Sequence, residues 1–456
     1  MKLLAAFLSI VEDWRDVFPQ QRTYRRAVRQ ALGSLICLGR RCLSRIIWTN
    51  GGQHRSWSAE YFLHSRCNWE PQQLFQPILK RALAYCPQRL VGVAIDDTKL
   101  RKTGRAIQQA FYQRDPLSPP FHVNLVLGLR FLQASLLVPL HRTANIGTRA
   151  LPIRFQEVSR VKRPGKKASQ EEQKQYKAAV KVKNLSHSFV QMGKQLREEL
   201  DLAGGSDKIL VLTADGSFCN RTCFGDVPDR SVLLARARKD AKLCFRAPFI
   251  RDAFLRLKSL LPNRFAKMKV VPGRRPGSST AESVARLAIK SSGTSTGSGE
   301  PPNGLVVLAP PPYRKSKSRR LYYRDPAYLL TTDLHSSPKQ LLQIYFDCWQ
   351  IEVNHREEKD TLGIGQAQLW NVAAGPKQPV LAVAAYSALL LASLQALGAE
   401  RGNAYAELPK WRRKARRPSC LDLMTLLRKE MTQQTALLDT FALNFNPPEL
   451  VQVAEA

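Results

Sequence analysis

The pattern of apolar and polar positions divides the chain into a helical first part and a later part in which strands and helices alternate. Across residues 1–88, and most clearly at 24–47, apolar positions recur at helical spacing with arginines between them. A Thr-Asn-Gly-Gly turn at 49–52 interrupts the pattern, and residues 58–85 resume it as two further helical stretches. We expect a basic helical module here, either a DNA-binding domain or a structural cap with a solvated basic face.

From residue 89 onward, short apolar runs bounded by turn residues predict strands. They lie at 90–95, 123–129, 134–140, 209–214, 232–236, 305–308 and 328–332. A long helical pattern at 171–202 separates the third and fourth runs. Residues 272–302 are rich in Gly, Ser, Pro and Thr, which predicts a mobile loop.

Two further helices are predicted after residue 336. Ser337 followed by Pro338 is a good helix start, and the helix should run to Lys359 and end at Gly363. Residues 380–397 are apolar enough for a membrane span, but they include tyrosine, serine and glutamine side chains. This mixture favours a helix buried in a protein core.

Composition adds a strong charge to this picture. The chain has 456 residues, with 71 Lys and Arg against 36 Asp and Glu, for a net charge of +35. A length of this kind predicts about two to four domains, and a hydrophobic content of 44% excludes wholesale disorder. The charge indicates a large polyanionic partner, either nucleic acid or an anionic membrane surface.

The cysteines and the first residues indicate the compartment. Nine scattered cysteines without zinc-site spacing are typical of reduced thiols. The apolar start is followed at once by Glu12, Asp13 and Asp16 without a small-residue cleavage site, so we expect no signal peptide. We therefore expect a cytoplasmic protein that is associated with the nucleoid and makes no membrane contact.

Three acids stand out in so basic a chain. Asp96 follows the strand at 90–95, Asp215 follows the strand at 209–214, and Glu352 lies inside the predicted helix. Each acid alone is as easily a turn former or a helix cap, but two strands and one helix can bring all three carboxylates to one point. Converging carboxylates are the ligands that Mg²⁺ prefers, and a pair of Mg²⁺ ions stabilises the entering and leaving oxygens of phosphoryl transfer.

The acids also occur in motifs that resemble those of DDE transposases from bacterial insertion sequences. Tyr345, Cys348, Glu352 and Lys359 have the spacing of the Tyr-Arg-Glu-Lys signature, and residues 349–352 resemble its Trp-x-Ile-Glu run. Residues 95–98 with 102–104 resemble the first-acid motif, and residues 213–218 resemble the second. The resemblance covers about residues 88–370, and it departs from the signature at Cys348, where the family has an arginine.

The resemblance implies an α/β fold with an RNase H-like catalytic core, in which helices flank a mixed five-stranded sheet. The second and third acids are 137 residues apart, which resembles the branch with a β-rich insertion before the acid-bearing helix. The predicted divisions are a basic helical DNA-binding domain at 1–88, the first part of the core at 89–215, the β-rich insertion at 216–330, the second part of the core at 331–400, and a basic segment at 401–456.

By the same resemblance, Asp96, Asp215 and Glu352 hold two Mg²⁺ ions, for which Mn²⁺ may substitute. The implied activity is cleavage at transposon ends followed by strand transfer of the 3′-OH into target DNA. The implied partner is double-stranded DNA, comprising terminal inverted repeats and target, gripped by the N-terminal helices and the basic run at 410–417. Because two ends must be held together, we expect a homodimer on DNA.

Several further residues are candidates for DNA contacts. Tyr345 and Lys359 are expected to position phosphates, although Tyr345 is also consistent with a half-buried aromatic residue. Arg356 and Lys359 could supply the charge missing at Cys348; otherwise this copy has lost a contact. Within the insertion, Arg236, Arg238 and Lys239 resemble insertion residues that approach DNA. Alternatively, they lie on a solvated strand edge.

Two questions stay open at this level. The motif favours Asp96 over Asp97 as the first ligand, and since successive strand residues face opposite ways, only one should face the metal. The rival functions are a non-catalytic relic or domesticated transposase that still binds DNA, and an RNA- or ribosome-associated basic protein. The second alternative gives the three acids no role, and the sequence lacks typical RNA-binding motifs.

Overall fold

The chain is described here from a computed structural model, which covers residues 2–54, 56–115, 118–119, 121–140, 147–165, 167–238, 241–244, 254–256, 270–274, 281–289, 303–308, 312–313, 322–323, 327–412 and 415–433. The strands are β1 Leu90–Arg101, β2 Phe111–Arg114, β3 Leu125–Pro139, β4 Thr148–Glu157, β5 Ile209–Ala214, β6 Ser231–Ala237, β7 Lys242–Cys244, β8 Phe254–Arg256, β9 Val270–Arg274, β10 Ala281–Ile289, β11 Asn303–Leu308, β12 Pro312–Tyr313, β13 Tyr322–Tyr323 and β14 Ala327–Thr331. The helices are α1 Leu3–Glu12, α2 Gln21–Ile36, α3 Leu43–Thr49, α4 Trp57–Ser65, α5 Gln76–Ala82, α6 Gln170–Val182, α7 Leu185–Leu202, α8 Arg221–Gly225, α9 Pro338–Asp347, α10 Gln350–Arg356, α11 Ala374–Leu397 and α12 Cys420–Gln433.

The centre of the sheet has the strand order β4-β3-β1-β5-β6. β1, β3 and β4 pair antiparallel in succession, whereas β1, β5 and β6 run parallel. Most residues along the parallel-paired parts of β1, β5 and β6 are buried, as is usual for parallel strands covered on both faces. This is the mixed five-stranded sheet of an RNase H-like core, so the predicted α/β fold is confirmed.

The same sheet continues past β6 through β14, β11, β10 and β9. Four antiparallel strands therefore extend the core, in the region predicted to be a β-rich insertion. β6 falls inside the range 216–330 but pairs in parallel with β5, so this range also contributes a core strand. The predicted loop at 272–302 contains the end of β9 and all of β10; most other residues of that loop lie outside the described part of the chain.

Several predicted elements differ from the structure. The predicted helix from Pro338 to Lys359 is divided at Cys348 and Trp349 into α9 and α10, and β1 continues to Arg101 instead of ending at residue 95.

The strands at 123–129 and 134–140 are one strand, β3, and its neighbour β4 was missed because Pro152 interrupts its apolar pattern. The proline is tolerated at an edge strand, beside the register shift between Ala134 and Ser135. The helix at 171–202 is divided into α6 and α7, since the Asn184 side chain caps the start of α7.

The first and last helices pack together around α11. α11 is almost wholly buried and contacts α1, α2, α4 and α12 as well as β4. Among the described residues it is the one helix long and apolar enough to cross a membrane, but 83% of its apolar window is buried inside the protein, which is typical of a core helix. The N-terminal helices and the sheet consequently share one apolar core.

Two side chains of α12 fix this arrangement of helices. The Glu430 carboxylate accepts hydrogen bonds from the backbone amides of Leu3 and Leu4, at 3.1 and 2.7 Å, and so caps the start of α1. Arg428 Nε donates to the carbonyl oxygen of Ile36, at the end of α2, over 2.9 Å. The predicted basic segment at 401–456 therefore supplies a helix that joins both ends of the chain.

Arg197 of α7 stabilises the end of the sheet opposite the acids. Its buried guanidinium donates to the carbonyl oxygens of Lys208 and Gly205, each at 2.9 Å, and to the Asp201 carboxylate. We expect Arg197→Met to lower the free energy of unfolding by about 2–3 kcal/mol because these acceptors lose their partner. Urea unfolding measures this change. Lys194→Met, which removes a largely exposed ion pair on the same helix, should cost less than about 1 kcal/mol; equal losses would contradict the interpretation.

Candidate active site

The parallel pairing of β1 with β5 sets two acids side by side. Ile95 pairs with Ala214, so the next residues, Asp96 and Asp215, lie next to each other where the parallel pairing ends; β5 stops there, whereas β1 continues to Arg101. Glu352 reaches the same place from α10, on a helix that packs against β1 and β4. The structure thus brings together all three acids singled out in the sequence.

The pKa values of these acids show that their charges interact. Burial raises the pKa of Asp96 to about 7, and the neighbouring charges of Asp215, Asp97 and Glu352 contribute to the rise. Burial and the charge of Asp215 also raise the pKa of the exposed Glu352. The acids therefore repel one another, and a bound cation would relieve the repulsion.

This set of donors fits a hard divalent cation by its chemistry. All three donors are carboxylates, which suit Mg²⁺ or Mn²⁺ better than softer metals. Within the described ranges, no three His, Cys, Asp or Glu side chains already stand at the spacing of a closed metal site. The acids share one region but are not drawn together around one point.

The geometry distinguishes Asp96 from Asp97. Asp97 Oδ2 accepts from Arg130 Nε over 2.8 Å, and its backbone amide donates to Asp96 Oδ1 over 2.8 Å. Asp97 is therefore engaged by Arg130 and orients its neighbour, while Asp96 lies against Asp215. The geometry favours Asp96 as the metal-facing acid.

A cleft of about 940 Å³ opens at these acids. Asp96, Asp215 and Lys359 line it, and partial burial lowers the pKa of Lys359 although nearby acids, including Asp96, oppose this. Four more cationic side chains lie along its walls: Arg40, Lys99, Arg101 and Arg130. A cleft with acids in one region and cations around them suits a phosphodiester backbone. Arg40 comes from the N-terminal helical module, which the structure places against the catalytic core.

Tyr345 and Arg236 lie together beside Asp215. Burial raises the pKa of Tyr345, with Arg236 acting in the opposite direction and Asp215 in the same one. Arg236 is exposed on β6, and its carbonyl oxygen would lie 3.3 Å from a Cβ placed on Gly216. The structure therefore brings these two predicted DNA contacts to the acids.

Cys348 takes the place of the signature arginine and lies among the acids. Burial raises the pKa of its thiol to about 12, with Asp96 and Glu352 adding to the rise, while a hydrogen bond with the Thr213 side chain opposes it. The thiol is therefore uncharged at neutral pH. The site has an apolar, neutral group where a cation was expected.

Other predicted DNA contacts lie farther away. Arg356 is exposed and its charge acts on Arg417, whose guanidinium donates to Thr148 and Gln350. The charge of Arg356 therefore acts on the C-terminal basic run, to which Arg417 belongs, more than on the acids. Arg238 is exposed directly after β6, and Lys239 lies outside the described residues.

Sequence reasoning missed a buried polar network behind the catalytic helix. Gln133, the register partner of Asp96, donates to Ser135, which donates to Asn354 Oδ1 over 3.0 Å. Asn354 in turn donates to the Tyr386 hydroxyl over 3.0 Å, and that hydroxyl donates to Glu357. The network ties α10 to β3 and α11. No local spacing in the sequence could reveal it, because its members are up to 253 residues apart.

A loop after the catalytic helix is held to the end of β1. The buried Lys102 Nζ donates to the carbonyl oxygens of Gly365 and Ala367, at 2.9 and 2.6 Å. Gly365 has a φ of 108°, which a residue with a side chain rarely adopts. The loop at 364–368 lines the cleft, so Lys102 fixes part of its wall.

Replacing Lys102 by Met should loosen this loop. The substitution removes both hydrogen bonds while keeping an unbranched side chain, so we expect faster amide hydrogen exchange across residues 363–372. Lys99→Met, which removes a partly exposed donor in the same strand, is the control. Unchanged exchange in the Lys102 variant would show that the loop does not depend on this contact.

Glu358 makes stability depend on pH. It is fully buried beside Gln133, and burial raises its pKa from 4.5 to about 8. The folded chain therefore holds a proton that the unfolded chain releases near its ordinary pKa, so folding becomes less favourable as pH rises through this interval. We expect Glu358→Gln to match wild type near pH 4.5 and to be more stable by at least about 1 kcal/mol above pH 8.

Thermal or urea unfolding at both pH values tests the Glu358 prediction. The same substitution at Glu198, which is exposed on α7, should leave the difference between the two pH values unchanged. A Glu358→Gln variant that loses stability equally at both values would show that the carboxyl group acts only through packing.

Comparison with known proteins agrees with this geometry. A search of curated proteins found no match. The family model for the DDE superfamily endonuclease matches residues 15–250, which is just over half of the chain and includes Asp96 and Asp215. The insertion-sequence branch stays a prediction, as do the site roles of the individual residues. By fold, acids and family match, the chain belongs to the DDE superfamily of endonucleases and is of the DDE transposase type.

Proposed function

We propose that this protein is a transposase that cleaves DNA at transposon ends and transfers the freed 3′-OH into target DNA. The observation that carries the proposal is the position of Asp96 and Asp215 side by side at paired parallel strands in a cleft lined by cations, with the charge of Glu352 acting on Asp96. The family already implies a DNA substrate and nuclease chemistry; transposon ends and strand transfer are the further step.

The three carboxylates would hold two Mg²⁺ ions, or Mn²⁺ in their place. When bound, the ions would lower the pKa of a water and stabilise the entering and leaving oxygens of the phosphodiester. Water then forms a bond to phosphorus while the bond to the 3′ oxygen breaks, and the released 3′-OH repeats the displacement on target DNA. The proposal requires no covalent bond between protein and DNA.

The remaining side chains of the cleft position the nucleic acid. Lys359 and Arg130 lie beside Asp96 and Asp97 and can contact phosphates on either side of the reacting bond. Phosphate contacts of this kind fix register without reading sequence. Tyr345 and Arg236 can do the same beside Asp215.

Arg236 is the best substitute for the cation missing at Cys348. It acts on Tyr345, the first residue of the signature, whereas Arg356 acts on Arg417. Arg238 and Lys239 follow Arg236 along the chain and would continue the contact. The positive charge of the signature would thus come from β6 instead of the catalytic helix.

The partners follow from the chemistry. The terminal inverted repeats and the target duplex would both enter the basic cleft, and two protomers would hold two ends together. The chain would act in the cytoplasm on nucleoid DNA. The alternative, a non-catalytic relic that binds DNA, is favoured by one observation, the neutral Cys348 thiol among the acids.

Cleavage of labelled duplex carrying the element's own ends, with Mg²⁺, decides between the two. Glu352→Gln removes one metal-binding charge and keeps the side-chain shape. We expect it to bind the ends with unchanged affinity and to nick them at least about a hundredfold more slowly, the scale seen when one charge-stabilising group is lost.

The matched control is Glu198→Gln, the same change at an exposed helix position, which should cleave like wild type. If wild type and both variants bind the ends but none nicks them, the catalytic proposal fails and the relic interpretation is correct.

A further inference from the structure

A basic segment projects from the edge of the sheet where the acids lie. We call residues 159–184, which join β4 to α7, the arm; all but residue 166 are described. Its helix, α6, has no buried residue, and only Tyr176 and Ala179 are half-buried. A helix that buries no face against its own protein is available to a partner.

The first root of the arm lies beside the cleft. Glu157, the last residue of β4, shares a row of the sheet with Thr98, two residues beyond Asp96. The next backbone amide, that of Val158, donates to the carbonyl oxygen of Arg130 over 2.8 Å, and the Arg130 side chain lines the cleft. The arm therefore leaves the sheet at the level of the acids.

The second root lies on the other side of the same site. α7 begins at Leu185, and the Ser186 hydroxyl accepts a hydrogen bond from Asn220 Nδ2 over 3.0 Å. Asn220 belongs to the turn that follows Asp215. Because both roots stand at the active-site edge, the arm extends from the mouth of the cleft.

The helix of the arm is formed by its own sequence. The Ser169 hydroxyl accepts from the amide of Glu172 over 3.2 Å, and the Glu172 carboxylate accepts from the amide of Ser169 over 2.8 Å. This capping box stabilises the start of a helix that would be marginal without packing. The partner therefore meets a preformed rod, not a segment that must fold on binding.

The charges of the arm select a polyanion. The arm carries nine Lys and Arg against two Glu. Both acids, Glu171 and Glu172, lie in the first turn of α6, where a negative charge interacts favourably with the helix dipole. Every charged residue after Glu172 is a lysine. Lys174, Lys177 and Lys181 recur at helical spacing on one face and span about 10 Å, which faces several phosphates of a duplex.

The arm continues the cationic surface of the cleft. Arg160, at its first root, stacks over the Phe111 ring of β2 at 5.8 Å from the centroid. Lys99 and Arg101, on the neighbouring part of the sheet, line the cleft wall. A duplex whose scissile bond lies at the acids would leave the cleft toward this side. A second copy of the arm is a poor occupant because like charges would meet.

We propose that the arm binds the phosphate backbone of duplex DNA outside the cleft, next to the stretch that undergoes cleavage. The inference rests on the proposed function for its substrate, but it concerns binding and not chemistry. It assigns the arm a positioning role that the catalytic motifs do not include.

The test compares two triple variants that lose the same charge. Lys174→Gln, Lys177→Gln and Lys181→Gln change the arm, whereas Arg89→Gln, Lys339→Gln and Lys429→Gln change exposed positions outside the cleft, the arm and the N-terminal module. Binding of a fluorescent mixed-sequence duplex is measured in EDTA, over a range of salt concentrations, so that no cleavage occurs.

We expect the arm variant to bind the duplex at least about tenfold more weakly than wild type near physiological salt. The slope of log K against log salt concentration should be smaller in magnitude by about two to three. The control variant should stay within about twofold of wild type in affinity. Equal losses in both variants would show that only net charge matters, and an unchanged arm variant would overturn the proposal outright.

A photo-crosslinking residue gives a local second readout. Placed at Gln175 of α6, it should crosslink to the duplex, and placed at the exposed Glu198, toward the end of α7 that lies away from the acids, it should not. Crosslinks from Gln175 to a second protein chain instead of DNA would replace the proposal with a dimer contact. Neither readout requires cleavage. A protein that binds DNA through the arm but fails to nick it would therefore refute the catalytic proposal and leave the proposal about the arm intact.

Discussion

The mutual repulsion of carboxylates held side by side is the constraint on which the rest of this structure depends. Asp96 and Asp215 are held close together, because Asp96 lies inside β1 and Asp215 directly follows β5, the strand paired with β1 in the middle of the sheet. Two side chains that lie among the acids do little to neutralise them. His355 Nδ1 lies 3.7 Å from Asp96, but burial lowers the pKa of this imidazole to about 3 and leaves it uncharged. The Cys348 thiol is neutral as well.

The protein therefore leaves the neutralising charge to a ligand. The Arg130 guanidinium is engaged by Asp97, and further cations line the walls of the cleft. This separation of charge, with cations on the walls and carboxylates at the centre, suits a reaction at a polyanion. The walls attract phosphates and the centre repels them, so a divalent cation is needed at the centre. The buried polar network behind α10 keeps the third carboxylate facing this centre although its helix is short.

The helices at the two ends of the chain serve the same site from outside. They pack on α11, which also contacts β4, so the N-terminal module and the catalytic core move as one packed unit. Arg40 can consequently reach the cleft from a segment that precedes the first strand. The roots of the arm also lie at the edge of this cleft.

The sequence by itself determined the local elements and the identity of the acids. Residues 209–214 are apolar and bounded by turns, and Ser337-Pro338 starts a helix in almost any context, so these elements were predictable. The acids were visible because each ends or interrupts an apolar pattern in a strongly basic chain. What tertiary structure alone decided were relations between distant residues: β4 and its Pro152, the choice between Asp96 and Asp97, the neutral surroundings of Cys348, and the place where the arm emerges. These depend on strand pairing and burial, which bring together residues hundreds of positions apart, and no local spacing records such contacts.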